Sequence, residues 1–144
     1  HLCFSVIEKN ILFSGDIVMG WTSTLISPPD GDVGQYFNSL DKLLNRSDNV
    51  YLPGHGLQVE DAKTYVAKLK KHRMERENQI LSILKIRPLN SYQIANKIYK
   101  NQPQPIIYAG SRNVFAHLIN LLERNLICCD GAISPDNYFE FINK

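Results

Sequence analysis

Two short stretches put chemistry-bearing residues at the ends of apolar runs. "ILFSGD" ends on Ser14-Gly15-Asp16, and "VYLPGHG" ends on Pro53-Gly54-His55-Gly56, 39 residues after the aspartate. A carboxylate that follows a glycine at a strand end stands where the backbone turns and the side chain leaves the core. A histidine between two glycines lets the backbone approach another group closely. Aspartate oxygen and neutral imidazole nitrogen are both suitable zinc ligands, with contacts of about 2.0–2.2 Å. Each stretch alone also reads as an ordinary turn. Whether the two are aimed at one point depends on the elements that carry them.

The apolar runs 2–7 and 11–13 are separated by Glu8-Lys9-Asn10, a polar turn whose asparagine tolerates a positive φ; the pattern predicts a β-hairpin. The stretch "IVMGWTSTLISPPDGD" then carries Gly20, Pro28-Pro29 and Gly31, which predicts an ordered loop rather than a regular element. From Val33 to Asn45, apolar residues at 33, 36, 37, 40, 43 and 44 follow helical spacing behind Asp32 as N-cap. "NVYLPGHG" reads as a buried strand ending in a turn. A further helix is expected from about Glu60 as far as Ile86, with a kink or boundary near Lys71.

The last third has a different rhythm. "NSYQIANKIYK" predicts a short helix capped by Asn90 or Ser91. "NQPQPIIYAG" is read as a spacer, and "SRNVFAHLINLLERN" as a strong helix from about Ser111 to Arg124. "LICCD" and "YFEFI" flank a Gly/Pro/Asp/Asn turn, a second hairpin. Three helices followed by a hairpin is the order of a winged helix-turn-helix. The expected division is therefore residues 1–72 and 73–144.

Composition sets limits on the rest. The chain has 144 residues, 44% hydrophobic and 21% charged, which is ordinary globular composition. No apolar run approaches the roughly 20 residues that span a bilayer, so a soluble chain without a membrane partner is expected. "HLCFSVIEKN" lacks the basic region and cleavage site of a signal peptide, and a start within strand-like sequence predicts that more chain precedes it. Cys3, Cys128 and Cys129 make no CxxC pair and are read as small buried residues of a reducing, cytoplasmic compartment. The net charge of +2 conceals a split: residues 1–70 carry 6 basic and 8 acidic side chains, and residues 71–144 carry 10 and 6.

The order of hairpin, Ser-Gly-Asp, loop, amphipathic helix, strand and Pro-Gly-His-Gly resembles the C-terminal half of the metallo-β-lactamase superfamily. "FSGDIVMGWTSTLISPPDG" is especially similar to a β-lactamase-like hydrolase branch. That branch, like the related endoribonucleases, carries a small winged helix behind the sandwich. The "HR…RE.QIL" segment that begins at His72 matches its junction. The resemblance implies an α/β (α+β) chain: the C-terminal half of an αββα sandwich followed by a winged-helix domain. It implies that Asp16 bridges two metal ions and that His55 binds the second. Zinc is the expected metal, with iron or manganese suited to the same donors. Two cations about 3.5–4 Å apart activate a shared water, whose hydroxide attacks an ester, thioester, amide or phosphodiester.

The family's other ligands, in a His-x-His-x-Asp-His signature and a further Gly-His turn, have no counterpart here. His1 aligns four positions past a ligand histidine and is read as structural. Ile17 stands where the branch more often has histidine. A catalytic zinc usually takes three protein ligands, so this chain alone is expected to bind metal weakly and not to turn over substrate. Expected partners are a separate or missing N-terminal half, or a second copy joined through the face that half would cover. Trp21 is read as lining a substrate pocket or, alternatively, as a core aromatic, His72 as a surface or domain-contact residue and His117 as a buried, hydrogen-bonded one. A different class of reading makes the chain a non-catalytic binding module. In it, Lys97, Lys100, Arg112 and Arg124 of the winged helix meet nucleic acid, although the basic stripe is sparse.

Overall fold

Strand β2 (Ile11–Gly15) is the middle of a three-stranded sheet, and its neighbours run in opposite senses. The computed structural model describes residues 2–142. Antiparallel to β2 lies β1 (Phe4–Val6), joined to it by a 3-10 turn, Ile7–Lys9, that ends on Asn10 at φ 53°. Parallel to β2 lies β3 (Val50–Pro53), reached through helix α1 (Val33–Leu44). A parallel neighbour requires a crossover, and the helix between the strands supplies it.

The sheet register sorts its side chains into two faces, because alternate residues of a strand point to opposite sides. Ser5, Leu12 and Tyr51 share one face, and Leu12 and Tyr51 are buried. Phe4, Val6, Ile11, Phe13, Val50 and Leu52 share the other. That second face is wholly apolar, yet Phe4 is 64% exposed and Phe13 48%. Helix α1 buries Tyr36, Leu40 and Leu43, positions that its sequence periodicity marks out.

Helix α2 runs unbroken over Ala62–Leu84, so of the kink or boundary expected near Lys71 there is no kink, while the division into two units falls after Arg73. The charged run "KLKKHRMERE" has no proline or glycine to interrupt the backbone ladder, and its residues are good helix formers. Contacts divide the chain into two units. One holds the residues up to Thr24 with Gly34–Arg73; the other holds Leu25–Val33 with the residues from Met74 onward.

In the second unit, α3 (Ser91–Ile98) opens with a complete capping box. The Asn90 side chain accepts from the Gln93 backbone, and the Gln93 side chain accepts from the Asn90 backbone. Helix α4 (Gln104–Glu123) starts seven residues before Ser111, which overturns the expected spacer. Pro103 and Pro105 fall at its start, where a missing N–H costs no intrahelical bond. Gly110 lies inside the helix where a side chain has no room, since a Cβ there would meet the Tyr99 ring at 2.3 Å. Strands β4 (Ile127–Cys129) and β5 (Phe139–Phe141) form the expected antiparallel hairpin, and Leu89 adds a bridge to Phe139.

Twelve buried apolar residues make one continuous core in this unit, among them Ile80, Leu84, Ile94, Val114, Leu118, Leu121, Ile127 and Phe139. The cysteines depart from the expectation of burial: Cys3 and Cys128 are exposed, Cys129 is half-buried and all three are free thiols. Cys3 precedes an edge strand, and Cys128 points outward from a hairpin that buries its alternate residue Ile127. Among the described residues no helix is long and apolar enough to cross a membrane.

Candidate metal centre

Parallel pairing of β2 with β3 sets the ends of both strands side by side, and both turns of interest begin there. Gly15 stands opposite Pro53 across a register irregularity, and Gly54 N–H donates to Gly15 O at 3.0 Å. One residue beyond, His55 Nδ1 and Asp16 Oδ1 lie 2.7 Å apart. The two side chains thus converge at the carboxyl ends of adjacent parallel strands. Open α/β sheets characteristically place their ligands at such a position.

Small residues make the convergence sterically feasible. A Cβ on Gly54 would stand 2.9 Å from Asp16 Oδ1, against the carboxylate itself. Gly20 N–H donates to His55 O at 2.9 Å, and a Cβ on Gly20 would drive into Leu57 O at 2.0 Å. The Asp16 loop and the His55 turn are therefore tied backbone to backbone. Both side chains keep access to solvent, 24% for Asp16 and 63% for His55.

A carboxylate and an imidazole at hydrogen-bond distance are donors of the type zinc takes. Their number does not reach the usual three protein ligands. Among the described residues no group of three or more His, Cys, Asp or Glu is placed to hold an ion. The donor chemistry fits a metal; a complete site needs ligands beyond these two. His1 lies outside the described residues.

The remaining sequence candidates are scattered. Trp21 is 71% exposed and follows directly on Gly20, so it stands beside the His55 turn rather than in a core. Lys97 and Lys100 are exposed on and just after α3. Arg112 is turned inward, with Nε donating to Ser27 Oγ at 2.8 Å and a terminal nitrogen donating to Pro28 O at 2.6 Å. Arg124 donates to both carboxylate oxygens of Glu77 at 2.8 Å. His72 is exposed and His117 fully buried. The sequence reading passed over Ser14, Thr24, Tyr65 and Arg73, whose side chains bond the carbonyls of the Asp16 loop. It placed Tyr36, which does the same, only in helix packing. A signal existed: a tyrosine at an apolar helix position has a hydroxyl that needs a partner once buried.

No family model matches the chain. It is 28% identical over 142 residues to the β-lactamase-like protein 2 homolog of Caenorhabditis elegans, covering 98% of this chain and 45% of that protein. To the Drosophila melanogaster homolog it is 31% identical over 117 residues, covering 79% and 39%. A crystal structure of a metallo-β-lactamase family protein from Thermus thermophilus superposes with a TM-score of 0.81 at 21% identity, over 99% of this chain and 45% of that one. The chain thus spans less than half the length of these relatives. Its fold is that of a portion of the metallo-β-lactamase proteins, carried by a sequence similar to the β-lactamase-like proteins.

Proposed function

We propose that this chain is the C-terminal portion of a metal-dependent hydrolase of the metallo-β-lactamase superfamily, in which Asp16 bridges two metal ions and His55 binds the second. The observation that carries the reading is the 2.7 Å approach of Asp16 and His55 across 39 residues, at the ends of parallel strands. When bound, such a metal pair supplies an activated water for hydrolysis of an ester, thioester, amide or phosphodiester. The chain's own part is to present a carboxyl group and an imidazole nitrogen from two turns that hold each other, with exposed Trp21 beside them as a wall for substrate. Zinc suits the donor pair, and iron or manganese suits it as well.

The remaining ligands come from a further polypeptide, either upstream in the same protein or a separate chain. The apolar outer sheet face is the surface that such a layer would cover. The second unit is read as a winged helix. The rival reading, a nucleic-acid module, is weakened because Arg112 and the exposed Arg124 are both engaged within the chain, whereas Lys97 and Lys100 stand exposed on and just after α3.

Zinc titration of the purified chain tests the reading, with elemental analysis beside it. Weak zinc binding that Asp16→Asn and His55→Gln both reduce at least tenfold is the expected result. Zinc binding indifferent to either change, or none at millimolar zinc, would overturn it. Hydrolysis is expected only once the remaining ligands are restored.

A further inference from the structure

Beyond Asp16 the chain leaves β2 in an irregular loop, whose carbonyls have no sheet ladder to accept from. Four consecutive carbonyls of that loop are instead met by four hydroxyls. Thr24 Oγ1 donates to Asp16 O at 2.5 Å, and Tyr36 OH donates to Ile17 O at 3.1 Å. Ser14 Oγ donates to Val18 O at 3.0 Å, and Tyr65 OH donates to Met19 O at 2.8 Å. The donors come from β2, the loop itself, α1 and α2, so the path of residues 16–19 is set from every side.

Two of the residues that supply those hydroxyls, Thr24 and Tyr36, meet one cation through other atoms. Arg73 is 3% exposed; its guanidinium donates to the Thr24 carbonyl and lies 5.4 Å over the Tyr36 ring. Burial pushes the Tyr36 hydroxyl up, so it remains a donor through neutral pH. A buried cation is a costly way to fill space. Here it closes two short paths, through Thr24 to the Asp16 carbonyl and through Tyr36 to the Ile17 carbonyl. Arg73 also belongs to the "HR…RE.QIL" segment of the sequence, which the proposed chemistry leaves without a role.

We infer that Thr24 and Arg73 are positioning residues for the metal-binding carboxylate of Asp16, with Arg73 locking Thr24 and Thr24 fixing the backbone from which Asp16 reaches toward His55. The inference rests on the proposed reading of Asp16 as a metal ligand. A role confined to folding would change thermal stability and leave metal affinity alone. A positioning role changes affinity in a folded protein, and a replacement hydroxyl recovers it.

The test is a zinc titration of the full chain against a chromophoric chelator, with thermal unfolding recorded on each variant. Amide exchange at Gly20 and Gly54, whose N–H groups tie the two turns, is followed by NMR. Thr24→Val keeps the shape and removes the donor; it is expected to weaken zinc roughly three- to tenfold and to speed exchange at both glycines. Thr24→Ser is expected to restore both, and Arg73→Met to behave like Thr24→Val. If Arg73→Met does not fold, the Thr24 pair decides alone. Should Asp16→Asn weaken zinc while Thr24→Val does not, the inference falls and the metal reading stands. Should Asp16→Asn leave zinc binding unchanged, the metal reading itself falls and takes this inference with it.

Discussion

The two units bury apolar surface in different ways. The second closes on itself: helices α3 and α4, the C-terminal half of α2 and the β4–β5 hairpin share one core of twelve buried residues. In the first, the sheet buries Leu12 and Tyr51 on one face and leaves Phe4 and Phe13 of the other in water. An antiparallel sheet with a solvated face normally alternates apolar with polar residues. Here Phe4, Val6, Ile11, Phe13, Val50 and Leu52 make the outer face apolar throughout. A strand that is apolar on both sides is the pattern of a layer meant to be covered on both. One unit is energetically closed, while the other carries the converging donors and an open face.

The contrast breaks most sharply at Phe139, which is fully buried and packs edge-to-face on Phe115 at 6.4 Å. Phe139→Ala is expected to cost about 3–5 kcal/mol by urea unfolding, because the surroundings cannot collapse into the space. Its counterpart on the open face, Phe13→Ala, is expected to cost under about 1 kcal/mol. Equal losses at the two sites would erase the distinction.

Asp48 probes how the open unit holds its edge strand. Ser5 Oγ donates to Asp48 Oδ1 at 2.8 Å, and Arg46 Nε donates to Oδ2 at 2.5 Å. The Arg46 hydrogen bond holds the Asp48 carboxyl below its usual range against the opposing effect of burial, with Ser5 adding to the lowering. A carboxylate depressed in the folded state contributes stability above its unfolded value of 3.8, lost as pH falls through the folded value. Asp48→Asn is expected to cost about 1–3 kcal/mol at pH 7 and progressively less as the pH is lowered below 4. A variant whose deficit is the same at pH 7 and pH 2.5 would show that the charge is irrelevant there. In the closed unit, Asn90→Ala removes one half of a capping box and is expected to cost about 1 kcal/mol in thermal unfolding.

The smallest effect on stability is expected from the double change Phe4→Lys, Phe13→Lys, within about 1 kcal/mol. Its readout is solution mass. If the open face draws a second copy in the absence of a covering layer, sedimentation should show an associating wild type and a monomeric variant. A monomeric wild type at high concentration would remove that route to association.

How much was legible depended on the range of the interactions involved. Helix α1 was readable because its burial pattern repeats along the chain, and Asn90 was readable as one of two candidate caps of α3 because the backbone it caps is three residues away. Asn10 at φ 53° follows from a local turn preference. The start of α4 was misread because Pro103-Gln104-Pro105 signals a break in isolation, while a first helical turn accepts proline and the Tyr99 ring gives Gly110 a reason to be there. The cysteines were misread because their exposure follows from an edge strand and an outward hairpin position, neither visible in composition.

The candidate site divides along the same line. Residue type and local setting singled out Asp16 and His55, since a glycine beside a strand end frees the side chain that follows or precedes it. Their meeting at 2.7 Å was decided by the parallel register of β2 against β3, a pairing that no local pattern encodes. Inward-turned Arg112, Arg124 paired with Glu77 and the cradle of hydroxyls on residues 16–19 were decided the same way. Sequence alone determined which groups stand ready for chemistry and, apart from the first turns of α4, which segments are helix or strand, because those properties are set by neighbours a few residues away. Only the tertiary structure decided which of them meet, because contacts between residues far apart in the chain, such as the 39 that separate Asp16 from His55, exist once the sheet has chosen its order.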